Sequence, residues 1–137
     1  METLYTATVT AVGGREGNVK SDDGIIDMKI EKPKSMGGRG GATNPEQLFA
    51  AGYSACFGSA LEMVLRQERL RPERTAVTAE VSIGPNDKGG FMLAVKLVVE
   101  VVGIDRKLAQ EAMEKAHYVC PYSNATRGNV EVQLELK

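Results

Sequence analysis

The sequence predicts an α+β fold with largely antiparallel sheet, organised as a single domain over residues 1–137. Two observations carry the strands: alternating, Thr- and Val-rich segments separated by Gly and Asn turns run from Leu4 to Ile30, and a second pair of long alternating segments spans residues 76–102. A third carries the helices: an apolar stretch with a clear helix start at Asn44 lies between those two strand groups.

In chain order, Leu4 to Val12 alternates and reads as a strand, and Gly13 to Asn18 as a turn. Val19 to Asp22 and Ile25 to Ile30 read as strands joined at the hairpin signal Asp23-Gly24. Pro33 to Thr43 holds the segment MGGRGG and reads as a functional loop or crossover. Asn44 suits an N-cap, Pro45 the first helical position, and Glu46 the positive end of the helix dipole. The helix is expected to reach about Arg69, ahead of Pro72. From Leu48 to Leu65 it is apolar or small nearly all round, the pattern of a helix covered on most sides. A chain of 137 residues has little material to surround such a helix, so we expect a homodimer whose partner supplies part of the cover. Strands at Ala76–Ile83 and Phe91–Val102 follow. A second helix runs from about Arg106 to Tyr118, capped by Asp105, with Leu108, Ala109, Ala112, Met113 and Ala116 on one face. The last strand is Val130 to Leu136.

Bulk properties narrow the function classes. Charged residues make up 26% of the chain and the formal net charge is −1, which gives no electrostatic footprint for nucleic acid or an anionic membrane. The longest apolar run is taken as Ala94 to Val102, interrupted by Lys96 and Glu100 and too short to span a bilayer. METLYTATVT lacks a basic segment followed by an apolar core, so no secretory signal is expected and the expected compartment is the cytosol. The MGGRGG loop lacks the spacing of a phosphate cradle. No cofactor is implied, and with one histidine, His117, and no CxxC pair, no metal site either.

The chemistry is concentrated in two cysteines. Cys56 falls in the middle of the apolar helix, where a thiol is inert unless a cation stabilises its thiolate. Arg15, Arg39 and Arg127, each in a Gly-containing turn or loop, are the candidates, and the residues alone do not choose among them. Cys120 precedes Pro121, which places it at the N-cap of a short helical turn. The two thiols bond only if the fold brings their Cα atoms within about 7 Å. His117, late in its helix, reads as a cap or packing residue.

Two segments are long enough to be compared with known families: Thr43-Asn44-Pro45-Glu46-Gln47-Leu48-Phe49-Ala50-Ala51-Gly52-Tyr53-Ser54-Ala55-Cys56-Phe57 and Val119-Cys120-Pro121-Tyr122-Ser123-Asn124-Ala125-Thr126-Arg127-Gly128-Asn129. Together with the Gly13–Gly17 turn and the Met36-Gly37-Gly38 loop, they resemble the signature segments of the organic hydroperoxide resistance proteins, the Ohr branch of the OsmC/Ohr family. The resemblance implies an OsmC/Ohr-like fold, with sheets wrapped around a central buried helix in an intertwined homodimer. It implies a cysteine-based peroxidase acting on organic hydroperoxides. Cys56 is then similar to the family's peroxidatic cysteine and Cys120 to its resolving cysteine. Arg15 resembles the arginine that holds thiolate and peroxide, and Glu46 the carboxylate that orients this arginine. The implied partners are an organic hydroperoxide and a dithiol reductant, a lipoyl group in this family.

Helix geometry bears on how these groups meet. Glu46 and Cys56 are ten positions apart, about 15 Å along a helix axis and roughly 80° apart around it. One chain does not easily bring both into one small site, so Arg15 and Glu46 are expected to serve the Cys56 of the other subunit. Met36, Phe49, Tyr53 and Phe57 are candidates for an apolar wall favouring alkyl hydroperoxides over hydrogen peroxide. Two alternatives stand beside this reading: an OsmC-type peroxidase of broader specificity, and a non-enzymatic dimeric redox sensor, which consumes about one peroxide per thiol pair instead of turning over.

Overall fold

A computed structural model describes all residues, 1–137. The elements are β1 (Val9–Val12), β2 (Asn18–Ser21), β3 (Asp27–Lys29), α1 (Pro45–Gln67), β4 (Arg74–Pro85), β5 (Phe91–Val102), α2 (Arg106–Val119), α3 (Pro121–Thr126) and β6 (Glu131–Leu136), with short 3-10 turns at Gly14–Glu16 and Lys34–Met36. The strands form two three-stranded sheets, ordered β1-β2-β3 and β4-β5-β6. The chain divides into two compact units, Met1–Leu48 and Phe49–Lys137.

In the first unit both pairings are antiparallel, with Val9 opposite Ser21 and Val19 opposite Met28. The turn between β1 and β2 demands glycine at 17, because a Cβ there would lie 1.6 Å from the Val12 carbonyl oxygen. The first strand begins at Val9, not at Leu4. β2 is four residues long, and after the Asp22 N–H donates to the Thr8 carbonyl the ladder has no further partner. The third strand is also shorter than its sequence pattern. The Asp23 carboxylate accepts from Ser21 Oγ and the Ile25 N–H, which draws Ile25 into the turn. The Pro33–Thr43 segment is irregular, as its composition predicts, apart from the one 3-10 turn and a parallel bridge between Thr43 and Ile30. A Cβ at Gly38 would lie 2.0 Å from the Lys32 carbonyl oxygen, so the loop folds tightly on its own backbone there.

α1 starts where the sequence predicts. Asn44 Oδ1 accepts the Gln47 N–H at 2.8 Å, and Pro45 occupies the position that needs no N–H donor. The helix ends two residues early. Arg69 takes a positive φ of 58°, and Leu70 N–H donates to the Leu65 carbonyl while Arg69 N–H donates to Arg66, a Schellman closure.

The second unit holds the apolar core. Tyr53, Phe57, Leu61, Val64 and Leu65 of α1 pack in one cluster with Val95, Leu97 and Val99 of β5 and Ala112, Met113 and Ala116 of α2. Within the single chain this covers one face of α1 only, and Ala51, Ala55, Ser59 and Glu62 stay exposed. By length and composition α1 would cross a bilayer, so it, and not Ala94–Val102, is the chain's longest apolar segment. Its large side chains are instead buried against β5 and α2. β4 and β5 pair antiparallel along their whole length, and β5 is the central strand. β6 joins β5 in parallel, Ala94 opposite Glu131, which the hairpin-rich sequence pattern does not suggest. The α2–α3 connection accounts for it: a helical crossover returns the chain to the same end of the sheet. Asp105 caps α2 by accepting from the Lys107 and Leu108 N–H groups, and the predicted apolar face is buried except for Leu108 in the first turn. Leu61 is wholly buried, so Leu61→Ala is expected to cost about 2–5 kcal/mol, read as a lowered urea midpoint.

Candidate active site

Cys120 sits where α2 gives way to α3. It is the C-cap of one helix and the N-cap of the next. Its N–H donates to the Ala116 carbonyl at 2.8 Å, and its own carbonyl accepts the Asn124 N–H at 3.0 Å. Pro121 ends the first helix and opens the second, as the sequence predicts. This junction holds the wholly buried Cys120 thiol against α1, where its Sγ lies 3.7 Å from Cys56 Sγ. Both cysteines are free thiols. Burial pushes the Cys56 thiol above its ordinary value, partly offset by the backbone N–H of Tyr122, while the neighbouring Cys120 adds to the rise.

An aromatic cluster lies beside this pair. Phe49, Tyr53 and Tyr122 have ring centroids 5.7–6.4 Å apart. Phe49, Gly52, Tyr53 and Cys56 follow one another at helical spacing along α1. Gly52 makes room for the Tyr122 ring, since a Cβ there would come within 2.8 Å of Tyr122 Oη. The expected apolar wall needs correction. Tyr53 and Phe57 are 0% exposed and belong to the core, because their positions on α1 face β5 and α2. Phe49 is half-buried, Met36 lies in the first unit, and Tyr122, which the sequence pattern did not single out, packs edge-on to Phe49 and beside Tyr53. Its signal was an aromatic two places after Cys120 and a glycine one turn before Cys56.

In the first unit, Arg15 and Glu46 meet. Arg15 Nη1 donates to Glu46 Oε2 at 2.8 Å and Nη2 to Oε1 at 2.6 Å, a two-bonded fork. The tight 3-10 turn at Gly14–Glu16 presents the arginine, and the first turn of α1 presents the carboxylate. The hydrogen bond from Arg15 holds the Glu46 carboxyl below its ordinary value, and Glu46 in turn raises the arginine. The structure therefore pairs Cys56 with Cys120 in one unit and Arg15 with Glu46 in the other.

Arg127 and His117 have partners of their own. Arg127 donates to Asn124 Oδ1 and to the His117 carbonyl and lies 5.0 Å from the Tyr118 ring centre, so it closes the end of α2. Arg39 lines a cavity of about 440 Å³ with Glu16, Lys29 and Glu31. His117, in the last turn of α2, has Nδ1 2.8 Å from Ser123 Oγ. No group of three or more His, Cys, Asp or Glu side chains is arranged to hold a metal ion.

Comparison with known proteins gives concordant matches. The family model described as OsmC-like protein matches residues 38–135. An organic hydroperoxide resistance protein of Xanthomonas axonopodis pv. citri is 50% identical over 135 residues, covering 97% of this chain and 94% of its own. The chain belongs to the OsmC/Ohr family. A crystal structure of an organic hydroperoxide resistance protein from Elizabethkingia anophelis, with thiocyanate bound, matches with a TM-score of 0.96 at 51% identity, over 100% of this chain and 99% of that one. A Vibrio cholerae relative, whose crystal structure holds captopril in one of its active sites, matches with a TM-score of 0.95 at 46% identity, over 99% and 94%. Among OsmC/Ohr proteins these relatives are of the organic hydroperoxide resistance branch, and the shared α+β architecture extends over the whole chain.

The Arg15–Glu46 fork yields a signed pH dependence. A carboxyl held below its unfolded value contributes stability that is complete above the ordinary carboxylate range and is lost as pH falls through the lowered value. Glu46→Gln is expected to lower stability by about 1 kcal/mol at neutral pH. Urea midpoints of variant and parent should converge as the pH is taken down through the carboxylate range.

Proposed function

We propose that this protein confers organic hydroperoxide resistance as a thiol peroxidase, with Cys56 as the attacking sulfur and Cys120 as the resolving one. The observation that carries the reading is the contact between their sulfurs, 3.7 Å across a sequence separation of 64 residues. Two free thiols brought that close, one half-buried on a helix and one at a helix junction, suit a reversible disulfide better than a permanent staple. The names of the relatives, at about half identity over nearly full length, support the substrate class.

The chemistry runs in three steps. The Cys56 thiolate attacks the outer oxygen of a hydroperoxide, the O–O bond breaks, and the alkoxide takes a proton to leave as the alcohol. The resulting sulfenic acid condenses with the Cys120 thiol, forming the disulfide and releasing water. A dithiol of the dihydrolipoyl kind reopens the disulfide by exchange and is itself oxidised. Burial alone raises the Cys56 thiol, so the thiolate needs a cation. Arg15, held in a fork by Glu46, is the group we assign to it, and to the charge that develops on the peroxide oxygens. Phe49 and Tyr122 form the apolar side that favours an alkyl group over hydrogen peroxide.

We further propose that the chain acts as one OsmC/Ohr-like domain in a cytosolic homodimer. The uncovered face of α1, with Ala51, Ala55 and Ser59 exposed, supports the dimer. The spacing of Glu46 and Cys56 along α1 supports sites in which one subunit supplies Arg15 and Glu46 to the Cys56 of the other.

In a steady-state assay, tert-butyl and fatty-acid hydroperoxides are expected to outpace hydrogen peroxide, and dihydrolipoamide to outpace thioredoxin and glutathione. A preference for hydrogen peroxide would overturn the substrate assignment. Arg15→Ala is expected to slow peroxide reduction by about 10²–10³-fold and to raise the pH at which iodoacetamide begins to alkylate Cys56. Mixing Arg15→Ala with Cys56→Ser subunits should return about half of the parental activity in the mixed dimers if the two groups act across subunits, because one site of each pair is then intact. No recovery would place them in one subunit.

A further inference from the structure

Beside the two sulfurs runs a chain of buried hydroxyls that the peroxidase chemistry does not use. Tyr53 Oη lies 2.9 Å from Ser123 Oγ and 3.1 Å from Thr126 Oγ1, and His117 Nδ1 lies 2.8 Å from Ser123 Oγ. Tyr53 and Ser123 are 0% exposed and Thr126 is 4% exposed. The direction of the chain follows from its far end. Thr126 Oγ1 donates to the Ser123 carbonyl, so it accepts from Tyr53. Tyr53 Oη then accepts from Ser123, and Ser123 Oγ accepts from an Nδ1–H of His117. Every hydroxyl proton is used, and no buried side-chain nitrogen or oxygen is left without a partner.

The chain brackets the resolving cysteine. His117 precedes Cys120 by three residues on α2, Ser123 follows it by three on α3, and Tyr53 stands three residues before Cys56 on α1. Replacing both members of a buried hydroxyl pair by apolar groups of the same shape is often close to neutral in stability, so burial alone does not account for the chain. What the hydroxyls add is geometry: they tie both flanks of Cys120 to the helix that carries Cys56. Geometry is what the closing step requires. The sulfurs stand 3.7 Å apart and must approach to about 2.05 Å in a disulfide.

We propose that the His117–Ser123–Tyr53–Thr126 chain positions Cys120 against Cys56 and sets the rate of disulfide closure, not of peroxide attack. The proposal rests on the two-cysteine cycle given above. In the step concerned, an electron pair of the Cys120 sulfur forms the S–S bond and the S–O bond of the Cys56 sulfenic acid breaks. The oxygen leaves as water with the proton of the Cys120 thiol, so Cys120 is oxidised and the sulfenic sulfur reduced.

The test is a single turnover of the full-length protein with one equivalent of tert-butyl hydroperoxide, with dimedone trapping followed by mass spectrometry. In Tyr53→Phe and in Ser123→Ala, oxidation of Cys56 is expected to stay within about twofold of the parent, while closure slows roughly tenfold or more and Cys56–dimedone adduct accumulates. The double variant should close no more slowly than the slower single one, since both break one chain. His117→Asn keeps a donor where Nδ1 stands and should close faster than His117→Ala. Closure at the parental rate in Tyr53→Phe, Ser123→Ala and His117→Ala, whatever their melting temperatures, would overturn the proposal. Failure of the underlying cycle looks different: the unaltered protein would form no Cys56–Cys120 disulfide, and Cys120→Ser would give no trapped Cys56, overturning both.

Discussion

The contact between Cys56 and Cys120 is the constraint on which the second unit depends. A helix that buries Tyr53, Phe57, Leu61, Val64 and Leu65 presents a half-buried thiol, and a helix junction delivers a wholly buried thiol to it. A proline makes that junction. Pro121 stops α2 at Cys120 and starts α3 at once, so Cys120 is fixed by helical hydrogen bonds on both sides instead of riding on a free loop. Close approach of two sulfurs needs such stiffness on both backbones, because a disulfide tolerates little error in the separation of its Cα atoms.

The same burial that steadies Cys56 works against its chemistry. A thiol among apolar side chains resists ionisation, and the second unit supplies only the amide of Tyr122 to offset this. In the function proposed above, the fork of Arg15 and Glu46 is the answer to that problem. A guanidinium with both Nη atoms committed to a carboxylate loses little further freedom when it meets a sulfur or a peroxide oxygen, and it keeps its charge at every working pH. The fork stands on a tight glycine-flanked 3-10 turn and on the capped first turn of α1.

Polar order inside the core has a separate source. Tyr53, Ser123, Thr126 and His117 form one satisfied chain beside a core of Leu, Val, Ala, Met and Phe side chains and Cys120. A chain in which each donor has one acceptor adds directional constraints that apolar contacts lack. On the proposal made above, this chain fixes the registration of the helices where the two sulfurs approach.

Local structure was legible in short runs of residues: the Asn44 cap and Pro45 start of α1, the Asp105 cap of α2, the Cys120–Pro121 junction and the full extent of β5. Each follows from the conformational limits of a few neighbouring residues. The sequence also marked Cys56 and Cys120 through the two segments that resemble the OsmC/Ohr family. Long-range packing settled that the two sulfurs touch, that β6 lies parallel to β5, and that Tyr53 and Phe57 are core while Tyr122 stands beside the thiols. It likewise decided where β1 begins, since a strand extends only as far as its partner. These outcomes depend on which distant surfaces share burial, and burial is a property of pairs of segments far apart in the chain, which no single stretch of residues encodes.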